Sequence, residues 1–211
     1  MATQEISSNF QNFTLENKFP ELEELKQKGY VGFGAIAIIL NEKHEILIIQ
    51  ENKDKKGHAK LGKWSLVYET GKEGETPEMT MLAGIGSELG LETLQRVKQL
   101  SNRNFGFDFR RYEGDKPSRS LISIFYLPAD QIPNKSQWGI EVRDLQWIAS
   151  KKLLNLDKSI LRVNVSTIIE ELKQRKLLTF SENELVNLAL SPALIKDYLS
   201  KREEIPDLFW K

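Results

Sequence analysis

The segment Tyr68 to Glu92, YETGKEGETPEMTMLAGIGSELGLE, constrains the fold more than any other part of the chain. A strand, Trp64 to Tyr68, runs into a loop punctuated by glycine, and a helix opens at Thr76-Pro77. Thr76 suits an N-cap, Pro77 the first helical position and Glu78 the positive helix end, while Gly90 closes the helix. At about 3.6 residues per turn, Gly84, Ser87 and Glu88 share one face. Met79, Leu82, Ile85 and Leu89 fall on the other side and are predicted to bury.

This strand–loop–helix resembles the box of the Nudix hydrolase superfamily, G-x5-E-x7-R-E-U-x-E-E-x-G-U, where U is aliphatic. Glu75, Ile85, Glu88, Gly90 and Leu91 match it. Glu69 stands at the first glycine, Ala83 at the arginine, Gly84 at the next glutamate and Ser87 at the first of the paired glutamates. The box, Glu69 to Leu91, is therefore degenerate. The resemblance implies an α/β protein, a Nudix-type α/β/α sandwich with a mixed sheet, here followed by a helical C-terminal extension. It also implies Mg2+, because carboxylates on one helix face hold that hard cation beside a diphosphate. Only Glu88 still carries charge on that face, and one carboxylate does not hold a magnesium cluster without help. In the family the glutamate matching Glu75 commonly pairs with the box arginine; with Ala83 there, Glu75 is left to metal, substrate or water.

Glu88 and Glu75 are thus the candidate catalytic residues, and Glu88, Glu75 and Glu141 the candidate metal ligands. Glu69, Glu73 and Glu78 are read as solvent-facing. The leading expectation is a divergent Nudix-like protein that binds a phosphorylated or nucleotide-like small molecule, with ordinary Mg2+-dependent diphosphate hydrolysis lost or altered. One alternative is an active hydrolase of nucleoside diphosphate-linked compounds with metal ligands relocated to Glu75, Glu141 or the loop after Glu69. Another is a non-catalytic binding or regulatory module.

Candidate ligand-binding residues are Gly84, Ser87, Lys63, Tyr68, Arg110 and Arg119. Gly84 and Gly86 each cost about 1 kcal/mol against alanine within a helix. They either admit a ligand or neighbouring backbone or mark a box no longer used. Gly57 to Trp64 nearly spells a P-loop, but Trp64 stands where Ser or Thr must reach magnesium, and a strand follows instead of a helix. Lys60 and Lys63 then act as point charges toward phosphate, or simply line a solvated loop. Arg110, Arg111 and Arg119 clamp phosphates bidentately or are ordinary charged strand ends. Tyr68, Phe107, Trp138 and Trp147 stack a flat ligand or fill the core. His44 and His58 fall in a turn and a charged loop, with no HExxH and no serine elbow.

Along the chain, residues 1–19 read as a surface arm, Pro20 to Lys28 as a short helix, and Val31–Leu40 with Glu45–Gln50 as a hairpin. Thr93–Ser101, Phe105–Arg111 and Ser118–Leu127 read as strands, and Glu141–Ile148 resembles the late Nudix segment in which an acid precedes a strand bearing tryptophan. Lys151–Leu154, Ser159–Lys176, Ser181–Leu190 and Ser191–Lys201 read as helices. This divides the chain into an arm and short helix (1–30), a Nudix-like domain (31–155) and a helical extension (156–211). The apolar end, Leu208 to Trp210, suits docking on the domain or a homodimer through the C-terminal helices. Thirty basic and thirty acidic residues cancel, so no net field attracts nucleic acid or an anionic membrane. With no cysteine, no signal peptide pattern and no apolar run long enough to span a bilayer, the expected location is cytoplasmic.

Overall fold

Strand β2, Phe33–Leu40, is apolar or glycine at every position and buried along its whole length, so both its faces and both its edges are covered. The computed structural model describes residues 13–15, 21–52, 62–110, 117–188, 192–202 and 204–206. On one edge β2 pairs in parallel with β7 (Pro117–Tyr126), from Phe33↔Arg119 to Leu40↔Tyr126. On the other it pairs antiparallel with β5 (Val67–Thr70). The expected hairpin with β3 (Ile46–Glu51) forms, its turn held by Asn41 Oδ1 accepting from the Lys43 and Glu45 amides at 2.9 Å. It splays beyond Leu40↔Ile46, because β3 is taken up by β4 (Trp64–Ser65) and β8 (Val142–Ile148). Beyond β7 lies β6 (Lys98–Arg110), which also carries β1 (Phe13–Leu15) and β9 (Leu185–Asn187).

Alternation along the strands builds two cores. Phe33, Ala35, Ala37 and Ile39 join Leu121 and Phe125 beneath Leu82, Ile85 and Leu89 of helix α2 (Pro77–Leu89). Ile36, Ile38 and Leu40 join Ile122 and Ile124 against Val165, Ile168, Ile169 and Leu172 of a helix on the far side, Val165–Gln174. The fold is an α/β/α sandwich around a mixed sheet, as the sequence implies. The remaining helices are α1 (Leu22–Gln27), α3 (Leu91–Arg96) and α4 (Ser150–Leu154); the far-side helix is α5, and α6 (Pro192–Arg202) lies over α2 and α3. None of the described helices is long and apolar enough to cross a membrane.

Several expectations need correction. The arm contains β1, anchored by Phe13 stacked on Phe105 at 5.1 Å. Thr93–Ser101 is not one strand: α3 occupies its first part, with the Thr93 hydroxyl donating to the Leu89 carbonyl. The strands expected on either side of Asn102 are one long β6, with a register shift between Gln99 and Asn104. Ser181–Leu190 is not a helix. The capping box forms, yet it heads only the 3-10 turn Glu182–Glu184, because Leu185–Asn187 pairs with the β6 edge. The segment from 156 onward is therefore not wholly helical, and α5 within it is one layer of the sandwich. Met79, expected to bury, is 37% exposed. The loop bearing His58 and Lys60, Arg111 and the terminal Leu208–Trp210 lie outside the described residues.

Candidate active-site cleft

The loop between β5 and α2 is built around Glu75, which is 1% exposed. Its carboxylate accepts from the Lys72 amide at 2.8 Å and the Thr80 hydroxyl at 2.6 Å, so it ties the loop to the first turn of α2. Thr76 caps that turn, accepting from the Met79 amide at 3.2 Å. The charge itself is met by α6. Arg202 donates through Nε to Glu75 Oε1 at 2.5 Å and through Nη2 to Oε2 at 3.1 Å, and the Tyr198 hydroxyl donates to Oε1. The same guanidinium reaches Glu69 at 3.1 Å and the Thr70 carbonyl at 2.8 Å. Burial opposes the charge on Glu75, but the Arg202, Thr80, Tyr198 and Lys72 donors outweigh it and hold its pKa below the usual carboxylate range. Glu69 moves the other way: burial raises it, against Arg202 and the Thr70 amide.

Glu88 forms a second centre. It is 8% exposed, and its Oε2 has no hydrogen-bond partner. Burial, then the nearby charges of Glu51 and Glu69, push its pKa well above the usual range; Arg162 opposes this and Glu141 adds to it. Arg162 is fixed by Glu51 at 2.9 Å, lies over the Tyr68 ring at 4.7 Å, and donates its backbone amide to the Trp64 carbonyl at 2.8 Å. Glu69 links the two centres, since it pairs with Arg202 and also acts on Glu88.

The face predicted to hold metal is largely closed. A Cβ at Gly84 would lie 2.9 Å from Glu69 Cβ. The segment Gln137–Gly139 crosses the end of α2: the Gly139 amide donates to the Glu88 carbonyl at 3.0 Å, and a Cβ at Gly139 would lie 2.0 Å from the Ser87 carbonyl oxygen. Ser87 is exposed, its hydroxyl donating back to Gly84 at 3.2 Å. Among the described residues no group of three or more His, Asp or Glu side chains is arranged to hold a metal ion. Glu88, Glu75 and Glu141 are thus not gathered as a metal site. Arg202 and Arg162 already supply cations at the two centres.

The other candidates scatter. Arg119 is buried in an ion pair with Asp108 at 2.5 Å, itself bonded by the Tyr30 hydroxyl at 3.0 Å, and is not available as a phosphate clamp. The side chain of Arg110 lies outside the described residues. Lys63 is half-buried beside Trp64, its carbonyl accepting from Glu51 at 3.0 Å. Tyr68 is half-buried beneath Arg162; burial raises its pKa, and its hydroxyl oxygen has no partner. Phe107 is core, and Trp138 donates to the Pro133 carbonyl at 2.9 Å. Arg202, Tyr198, Arg162 and Glu51 were not legible as site residues. The one available signal is that no lysine or arginine stands between Lys72 and Arg96, so α2 offers a buried Glu75 no cation of its own.

The fold recurs in known structures. The MutT protein from Methanosarcina mazei Go1 superposes with a TM-score of 0.51 at 19% identity, covering 70% of this chain and 95% of its own. A C. elegans Ap4A hydrolase superposes at 0.52 and 11% identity, covering 69% and 98%. A bifunctional NMN adenylyltransferase/ADP ribose pyrophosphatase from Francisella tularensis, complexed with AMP and a manganese ion, gives 0.50 and 15%, covering 72% of this chain and 45% of that one. At these identities the likeness is one of fold. No curated protein matches the sequence. The NUDIX domain profile matches residues 32–166, more than half of the chain, and the chain belongs to the Nudix family.

Proposed function

We propose that this Nudix domain binds a phosphorylated or nucleotide-like small molecule beside α2 without the Mg2+-dependent diphosphate hydrolysis ordinary to its family. The observation that carries this reading is the state of Glu88, the last acid on the metal face. It is buried, unbonded at Oε2 and driven toward its neutral form. A neutral carboxyl is a poor ligand for a hard divalent cation. Arg162, with its side chain 24% exposed, provides a fixed cation beside the same acids and above an aromatic ring. A guanidinium in that setting suits phosphate oxygens through its paired N–H groups.

One observation favours a second reading. Glu51, Glu69 and Glu141 are each close enough to Glu88 to act on it electrostatically. A metal that displaced Arg162 from Glu51 would find acids to bind, as an active hydrolase with relocated ligands requires. The test is a panel of ADP-ribose, Ap4A and nucleoside diphosphate compounds with Mg2+ or Mn2+, run on the native chain and on Glu88→Gln. Calorimetric binding in EDTA runs alongside. The expected result is no turnover above the Glu88→Gln background, with binding of at least one compound that EDTA leaves unchanged. Robust metal-dependent turnover abolished by Glu88→Gln overturns the proposal and establishes the second reading.

A further inference from the structure

Helix α6 makes contacts that its position near the end of the chain does not explain. Ile195, Tyr198, Leu199 and Arg202 lie on one face and all turn toward the Nudix helix and its loop. Leu199 Cδ1 would lie 2.9 Å from a Cβ at Gly86, so α6 sits where a side chain on α2 would otherwise project. Ala83, one turn nearer the start of α2, is 1% exposed. Arg202, one turn beyond Leu199, reaches Glu75 just before α2 begins. The two helices therefore run antiparallel, with Gly86 in the seam and the buried Ala83, three residues earlier, on the same side of α2. Just past α6 the chain still holds the loop, the Pro206 carbonyl accepting from the Glu73 amide at 3.1 Å.

We infer that Arg202 is the positioning residue of the cleft, and that α6 is a strap delivering to Glu69 and Glu75 a cation that α2 lacks. A carboxylate as buried as Glu75 is stable only with a paired cation and filled lone pairs. The loop's order therefore depends on a helix more than a hundred residues downstream. When α6 lifts, two carboxylates face a partly apolar site without that counter-charge, and the end of β5 and the loop carrying Glu75 lose their anchor. Among the described residues, the charged and titratable side chains that act on these two carboxylates include Arg202 and Tyr198 from α6, Glu88 from α2, and each other, and the loop itself carries Lys72. This inference holds whether or not the cleft hydrolyses anything.

The experiment compares Arg202→Met, Arg202→Lys, Ala83→Arg and the double variant Ala83→Arg/Arg202→Met in the full chain. Hydrogen exchange is read by segment, and circular dichroism monitors overall folding. Relative to native protein at the same pH, Arg202→Met is expected to speed exchange across 70–80 by about tenfold or more at about pH 8. It does so much less at about pH 5.5, where protonation of the carboxyls removes the unpaired charge. Arg202→Lys falls between. Ala83→Arg alone is expected to weaken the fold, because its side chain competes with α6 for the seam. In the double variant the same arginine restores protection at 70–80 while 195–202 stays loose. A packing role alone gives the same loss at both pH values and no rescue, and that pattern overturns the inference. Should Arg202→Met not fold, recovery of a folded chain in the double variant supports the strap and continued failure sinks it.

Discussion

At the scale of single residues, the glycines around α2 separate positions that must be small from positions that merely are. A methyl at Gly139 would meet the Ser87 carbonyl oxygen at 2.0 Å, and backbone cannot swing aside. A methyl at Gly86 would meet only the ends of Leu199 and Leu94 at 2.9 Å, and those side chains can rotate. Gly139→Ala is therefore expected to destabilise by about 1–3 kcal/mol or more. Gly86→Ala is expected to stay within about 1 kcal/mol of the native chain, since the gain in helix propensity offsets the crowding. Urea denaturation of the two variants measures both, and equal losses would refute the distinction. Gly84 belongs with the first kind, because the atom it would meet is Glu69 Cβ, the fixed root of a side chain. The box cannot regain its acid there without moving β5. The sequence left open whether Gly84 and Gly86 admit something close or mark a box no longer used. It could not show that the visitors are Glu69 and Leu199 of the same chain, since both approaches are made by elements distant in sequence.

At the scale of elements, local signals located β2, β3, α2, β7, β8 and α6 well, because each carries its own periodicity or cap. They failed where tertiary pairing decides. Leu91–Arg96 turns into a helix because Leu94 finds a site beside Leu199 at Gly86, and Leu185–Asn187 is drawn straight by the open edge of β6. Arg103 reinforces the second case, donating at 2.7 Å to the Leu177 carbonyl and at 2.6 Å to that of Thr179, and pairing with Glu184. The expected boundary at 155 has a physical consequence. A chain ending there loses Val165, Ile168, Ile169 and Leu172, all fully buried. At about 1.5–3 kcal/mol for each such side chain, the loss is on the order of 6–12 kcal/mol. That is comparable with the roughly 5–15 kcal/mol that holds a whole domain together. Truncation after 155 is expected to give an unfolded product, whereas truncation after 188 keeps both layers and gives a folded chain with a lower melting temperature. Circular dichroism melts of the two truncated chains decide this, and a cooperative melt from the 155-residue chain would show that α5 is dispensable.

At the scale of the molecule, equal numbers of acids and bases leave little net self-repulsion near neutrality. The pH dependence of stability then rests on the few buried carboxyls whose environments differ from water. Glu75, with its pKa lowered, contributes stability present above the ordinary carboxylate value of 4.5 and lost as pH falls through its folded value. Glu88, with its pKa raised, does the opposite. Above 4.5 the unfolded chain surrenders that proton while the folded chain retains it, so stability declines until pH passes the folded value and is level thereafter. The two limbs place greatest stability near the ordinary carboxylate value, since one is lost below it and the other above it. Glu88→Gln removes the Glu88 share of the second limb, because the amide stays neutral at every pH, and leaves the share of Glu69, which burial also raises. In EDTA, to exclude adventitious metal, the native and Glu88→Gln melting temperatures should nearly coincide around pH 4 and diverge steadily toward neutral, with the variant the more stable. At about 2–4 °C per kcal/mol for a chain of this size, an advantage of one or two kcal/mol is readily measured. Parallel curves, or a variant that becomes less stable as pH rises, would mean that Glu88 is ionised and paired in the folded chain. The cleft would then be a cation site after all.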